Sequence, residues 1–163
     1  MQKITITLSD KSIGRAIKEL ERYKRWVEEK TKLLCERLAL IGAHEASVRF
    51  ASAMYDGDND VHVEVGPTEN GWVIKAKGQA VCFIEFGAGV YHNPTEPYPQ
   101  PRPEGIVGIG EYGKGQGKRQ AWGFYNGGEL VVTRGNPATM PMWFATEEMR
   151  REVARIAKEV FKS

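Results

Sequence analysis

The chain is poor in the residues that most often announce chemistry. Its 163 residues hold two cysteines and three histidines. Cys35 sits in a helical apolar pattern and Cys82 in an apolar stretch read as a strand. Neither belongs to a metal-binding or redox spacing, so both are expected as buried free thiols of a reducing cytosol. His44, His62 and His92 are far apart in sequence. No nucleophile or ligand cluster accompanies them, which leaves a catalytic or metal centre without its parts. An excess of one charge is lacking too: 23 basic residues against 21 acidic leave a net charge of +2, so no global field advertises nucleic acid, an acidic membrane or an anionic substrate. No apolar run approaches the ~20 residues that cross a bilayer. Met1 to Leu8 show no basic patch followed by a long apolar core, so neither a spanning helix nor a signal peptide is expected.

What the chain does have is enough apolar sequence, 41% of its residues, to build one core, and its length suits one domain over residues 1–163. Ile4, Ile6 and Leu8 alternate with polar neighbours as a short edge strand would. Ser9 or Asp10 then caps a helix whose apolar positions run Ile13, Ile17, Leu20, Val27, Leu34, Leu38 and Ile41, and which resumes after Gly42 through Ala43, Ala46, Phe50 and Met54. Unbroken, it would be roughly 65 Å long at 1.5 Å per residue. A domain of this size has a radius of gyration of about 15 Å. The helix is therefore expected to bend near Gly42 or to rest its far end on a neighbour.

Val61, Val63 and Val65 alternate with His62 and Glu64, and a turn at residues 66–71 leads into Trp72 to Lys77, giving an antiparallel hairpin. Alternation in Ala80 to Phe86 predicts a third strand of the same meander, with Ala80, Cys82, Ile84 and Phe86 on one face and Val81, Phe83 and Glu85 on the other. A strand apolar on both faces asks for a covering chain, and Glu85 needs a partner. The expected partners are the backbone of Gly87 to Gly89, Arg134 or Tyr91, with Glu85 acting as an anchor that aims the loop beyond it. From Gly87 to Gln120 the pattern dissolves into proline-rich and then glycine-rich sequence, a loop long enough to be functional. A second hairpin follows, from Ala121 to Tyr125 and Glu129 to Thr133 around Asn126-Gly127-Gly128. Pro141 opens a closing helix with Met142, Ala145, Met149, Val153, Ile156 and Val160 on one face.

Motifs with a chemical reading are few. Gly108-Ile109-Gly110-Glu111-Tyr112-Gly113 spells a dinucleotide fingerprint. A proline-rich segment precedes it where a strand is required, and glycines follow it where a helix is required, so no cofactor is expected. Asp56, Asp58 and Asp60 have calcium-loop spacing but lack the turn glycine and the twelfth-position glutamate, and read as a solvated turn. Lys114, Lys118 and Arg119 precede Trp122, Phe124 and Tyr125, a basic and aromatic mixture that could make a nucleic-acid-binding module of Lys114 to Tyr125. The near-balanced charge, and the want of a further basic stripe, favour a plain loop. A small enzyme built on Glu85, Tyr91 and His92 lacks a second acid or base placed by the sequence.

Three stretches taken together carry a resemblance. They are Ala80 to Gly89, with its Phe-Ile-Glu-Phe-Gly-x-Gly; Tyr112 to Lys118 with Trp122 to Tyr125; and Gly135-Asn136-Pro137-Ala138-Thr139-Met140-Pro141-Met142. In this order they resemble the tail-component, or tail-completion, family encoded in the head-to-tail gene cluster of long-tailed phages and prophages, over nearly the whole chain. The resemblance implies an α+β fold, with a long N-terminal helix and a C-terminal helix against a small antiparallel sheet. It implies a non-enzymatic virion protein of the head–tail neck that joins or completes the tail as a ring of identical subunits. Such a protein contacts other neck and tail proteins, touches DNA passing through the channel, and is assembled in the host cytoplasm before residing in the virion. The residues expected at subunit or partner contacts are Phe83, Glu85, Phe86, Tyr91, Tyr112, Lys114, Lys118, Arg119 and Trp122.

Overall fold

The computed structural model describes residues 9–55, 57–89, 122–133 and 135–162, and within them the protein is α+β. The first helix, α1, spans Asp10–Ala51. Ser9 caps it as expected: its backbone is extended and its hydroxyl oxygen accepts the Ser12 N–H at 3.3 Å. The helix runs unbroken through Gly42, so the expected bend is absent from its hydrogen bonding. Gly42 serves close packing instead. A Cβ there would lie 2.7 Å from the Met149 sulfur and 2.8 Å from Ile74 Cδ1, so the missing side chain lets the C-terminal helix and the first hairpin both approach α1 at one level. The expected edge strand at Ile4 to Leu8 lies outside the described residues.

Strands β1 (His62–Thr68) and β2 (Gly71–Lys77) pair antiparallel across a tight turn at Glu69 and Asn70, with Val63 opposite Ala76 and Val65 opposite Ile74. Each strand reaches further into the connection than the residue pattern predicts. The third strand of the meander does not form: Val81–Phe86 is a short helix, α2. Periodicity cannot separate a short buried strand from a short buried helix, and here contacts distant in sequence decide. Asp60 binds the N–H groups that lead into α2, and Ile84 N–H closes on Ala80 carbonyl at 3.0 Å. Ala80 and Ile84, four apart, thereby share the buried side of α2 with Ala46, Phe50 and Ala145 in the core.

Beyond α2, β3 (Ala88–Gly89) pairs antiparallel with β6 (Gly135–Asn136). Between them in sequence, β4 (Trp122–Asn126) and β5 (Glu129–Thr133) form the second expected hairpin. The three strand pairs are separate two-stranded sheets rather than one. The last helix, α3 (Pro141–Lys162), packs back along α1. Arg49 of α1 lies with its guanidinium carbon 4.0 Å over the Phe144 ring, Arg37 reaches Glu159 at 2.7 Å, and Trp26 meets Phe161 edge to face. These contacts make the two helices antiparallel. The expected face of α3 is buried at Ala145, Ile156 and Val160 and half-buried at Met142 and Met149, while Val153 is exposed. On α1, Ile13, Ile17 and Leu20 lie N-terminal to the Trp26 contact and are exposed.

Candidate assembly junction

Helix α3 begins without a cap of its own. An N-terminus leaves N–H groups that need acceptors, yet the residue before Pro141 is Met140 and the first turn holds no acidic side chain. Glu85, from the end of α2, supplies both. Its Oε2 accepts the Met142 N–H at 2.8 Å and its Oε1 accepts the Trp143 N–H at 3.2 Å. The side chain is 4% exposed, so the carboxylate is held inside the chain against the positive end of the helix dipole.

The attachment runs in the other direction as well. The last carbonyls of α2 have no continuing turn to bond. Asn136 Nδ2 donates to Phe83 carbonyl at 2.7 Å, and Thr139 donates to Ile84 carbonyl through both its N–H and its hydroxyl, each at 3.0 Å. Gly87 completes the junction. Its φ is +73°, and a Cβ there would lie 2.7 Å from the Ala138 backbone nitrogen, where only glycine fits. Met140 also holds a left-handed φ, 51°, while its carbonyl accepts the first α3 bond from Phe144 N–H at 3.0 Å. This conformation costs about 1–3 kcal/mol. The segments at 81–89 and 135–142 thus lock together, and the β3–β6 pair joins them across the chain.

A second polar hub sits at the other end of α2. Asn59 Nδ2 donates to Phe50 carbonyl at 2.8 Å, at the end of α1, and Asp60 accepts Gln79 N–H at 2.7 Å and Ala80 N–H at 3.0 Å. These backbone donors hold the Asp60 carboxyl below its ordinary range. The acidic turn is therefore a connector rather than only a solvated one. Nearby, the Tyr55 and Phe83 rings lie with centroids 6.1 Å apart. Burial, with the Glu85 charge behind it, pushes the Cys82 thiol up, which disfavours the reactive thiolate. Cys35 and Cys82 are free and half-buried rather than fully buried.

Of the residues expected at contacts with other chains, Phe83 and Phe86 are half-buried, and Glu85 faces inward. Glu85 anchors the start of α3 through the Met142 and Trp143 N–H groups, and Arg134 and Tyr91, two of the partners expected for it, lie outside the described residues. The strand whose second apolar face asked for a covering chain is not there. Tyr91, Tyr112, Lys114, Lys118 and Arg119 lie outside the described residues, as do His92, Arg134, the 108–113 glycine motif and the side chain of Trp122. Backbone pairing places Trp122 opposite Thr133. Among the described residues no group of three or more His, Cys, Asp or Glu side chains could hold a metal ion, and no helix is long and apolar enough to cross a membrane.

The β4–β5 hairpin shows a surface that the residue pattern did not single out. Tyr125 faces Leu130 across the ladder, Val132 follows on the same side, and the three are 76%, 60% and 68% exposed. Comparison of the chain with protein-family models, with curated proteins and with solved structures returns no match.

Proposed function

We propose that this protein is a non-enzymatic structural component of the head–tail neck of a long-tailed phage or prophage, where it completes or joins the tail as a ring of identical subunits. The observation that carries the reading is the apolar face of β4–β5, where Tyr125, Leu130 and Val132 stand together in solvent. A hairpin with such a face reads as one that another chain covers. The exposed Ile13, Ile17 and Leu20 on α1 offer a second apolar strip. The interlocked segments at 81–89 and 135–142 are two of the stretches on which the resemblance rests, so their contact supports the reading at the level of sequence and architecture together. In this role Glu85 fixes the subunit from within, and partners meet the hairpin, Phe83, Phe86 and the 90–121 connection.

Deleting the gene from its phage tests the assignment. Electron microscopy is expected to show filled heads and tails that remain unjoined. Intact, infectious particles in normal number would contradict it.

A further inference from the structure

The near-neutral total charge conceals a local excess. Residues 11–25 hold six basic and two acidic side chains, leaving 17 basic and 19 acidic elsewhere. Five of the six, Lys11, Arg15, Lys18, Arg22 and Arg25, follow a four-three-four-three spacing, which puts them on one line of α1. The line is about 21 Å long at 1.5 Å per residue. All five side chains are exposed, and among the described residues none of them makes an ion pair. A basic stripe therefore exists; helical spacing, rather than a contiguous run, hides it. Carried forward at the same cadence and winding slowly round the helix, the line passes the mixed charges of Glu29, Lys32 and Glu36 and then reaches Ala39, Ala43, Ala46 and Phe50, all buried. Over Ala39 to Phe50 the line is apolar and buried, and over Lys11 to Arg25 it is cationic and exposed.

We infer that the N-terminal third of α1 is a nucleic-acid contact, with these five side chains set along the phosphate backbone of duplex DNA without reading sequence. Unpaired cations at intervals of about 5 Å match a polyanion with closely spaced charges. Glu45, Glu64, Glu147, Glu148, Glu152 and Glu159 are each already in an ion pair, which leaves a second copy of this chain fewer acids to set against the line. An anionic lipid surface would use the opposite, apolar face of α1. There Ser12 and Ala16 are already buried by the chain itself, so only part of that face, at Ile13, Ile17 and Leu20, is open to a bilayer. The inference stands apart from the neck assignment: a ring that ignores DNA would leave that assignment in place, and a monomer that binds DNA would leave this one.

The test is fluorescence anisotropy of the full chain with a labelled duplex of about 40 base pairs, titrated between about 50 and 200 mM salt. The wild type is expected to bind with log K falling steeply against log salt, with a slope of up to about −4.5 for five contacts. Arg15→Gln/Lys18→Gln/Arg22→Gln is expected to bind at least about tenfold more weakly and to flatten the slope by about 2.7. Lys75→Gln/Lys158→Gln/Lys162→Gln, which removes the same charge elsewhere, is expected to leave both within error. Circular dichroism checks that each variant keeps its helices. Equal losses in the two triple variants, no binding by the wild type, or binding to phosphatidylglycerol vesicles in place of duplex would each overturn the inference.

Discussion

Glu85 reaches α3 across 57 positions of chain, and its two oxygens do different work from what an acid at a strand end would do. Glu85→Gln keeps the size but replaces one acceptor by an amide that opposes an N–H. We expect a loss of about 1–3 kcal/mol, from leaving a buried donor without an acceptor, measured by urea unfolding. Gly87→Ala should be at least as damaging, since the new methyl would meet the Ala138 backbone and the φ is left-handed; a fall in melting temperature checks it. Asp60 makes a prediction in pH. Its folded-state pKa lies below the ordinary value near 3.8, so its stabilisation is complete above that value and is lost as pH falls through the lower, folded-state one. Asp60→Asn should therefore lower the melting temperature at neutral pH and shrink the difference from wild type as acid is added. At this scale the sequence showed that Glu85 needed a reason, because a carboxylate stood at the end of an apolar run. Its partner was legible only in retrospect: Met140-Pro141-Met142 opens a helix with no local cap, and a helix that lacks one must find it elsewhere.

Elements with a long period or a clear turn were readable. Helix α1 announced itself by its Ser9 cap and recurring apolar positions, α3 by Pro141 and its apolar face, and both hairpins by alternation around turns. Helix α2 was not readable, because six residues hold too few turns for period to show and its ends are fixed by Asp60, Asn136 and Thr139 from outside. Gly42 left two readings open, a bend or a far end resting on a neighbour; the structure adds a packing reason, since two neighbours claim the space of its side chain. Gly42→Leu should lower stability by about 1–3 kcal/mol through overpacking between Met149 and Ile74. Gly42→Ala should be near neutral, as a helix-propensity gain of about 1 kcal/mol offsets the displacement of two flexible side-chain ends. Chemical denaturation of the pair separates close packing from helix propensity.

For the whole molecule, two clusters stand out among the described apolar residues left in solvent, one on the β4–β5 hairpin and one on the first turns of α1. The proposed ring gives the hairpin group a cover and leaves the basic line of α1 free for a polyanion. Leu130→Lys with Val132→Lys should accordingly break the oligomer while leaving the core of Phe50, Ile84 and Ala145 folded, which sizing and circular dichroism together would register. The most direct test of the account is the mass of the wild-type protein in solution, followed by light scattering over a rising concentration series. The account predicts a closed oligomer whose mass is a fixed multiple of 18.3 kDa and stops growing. A mass of 18.3 kDa at every concentration, with the hairpin face still bare, would contradict it.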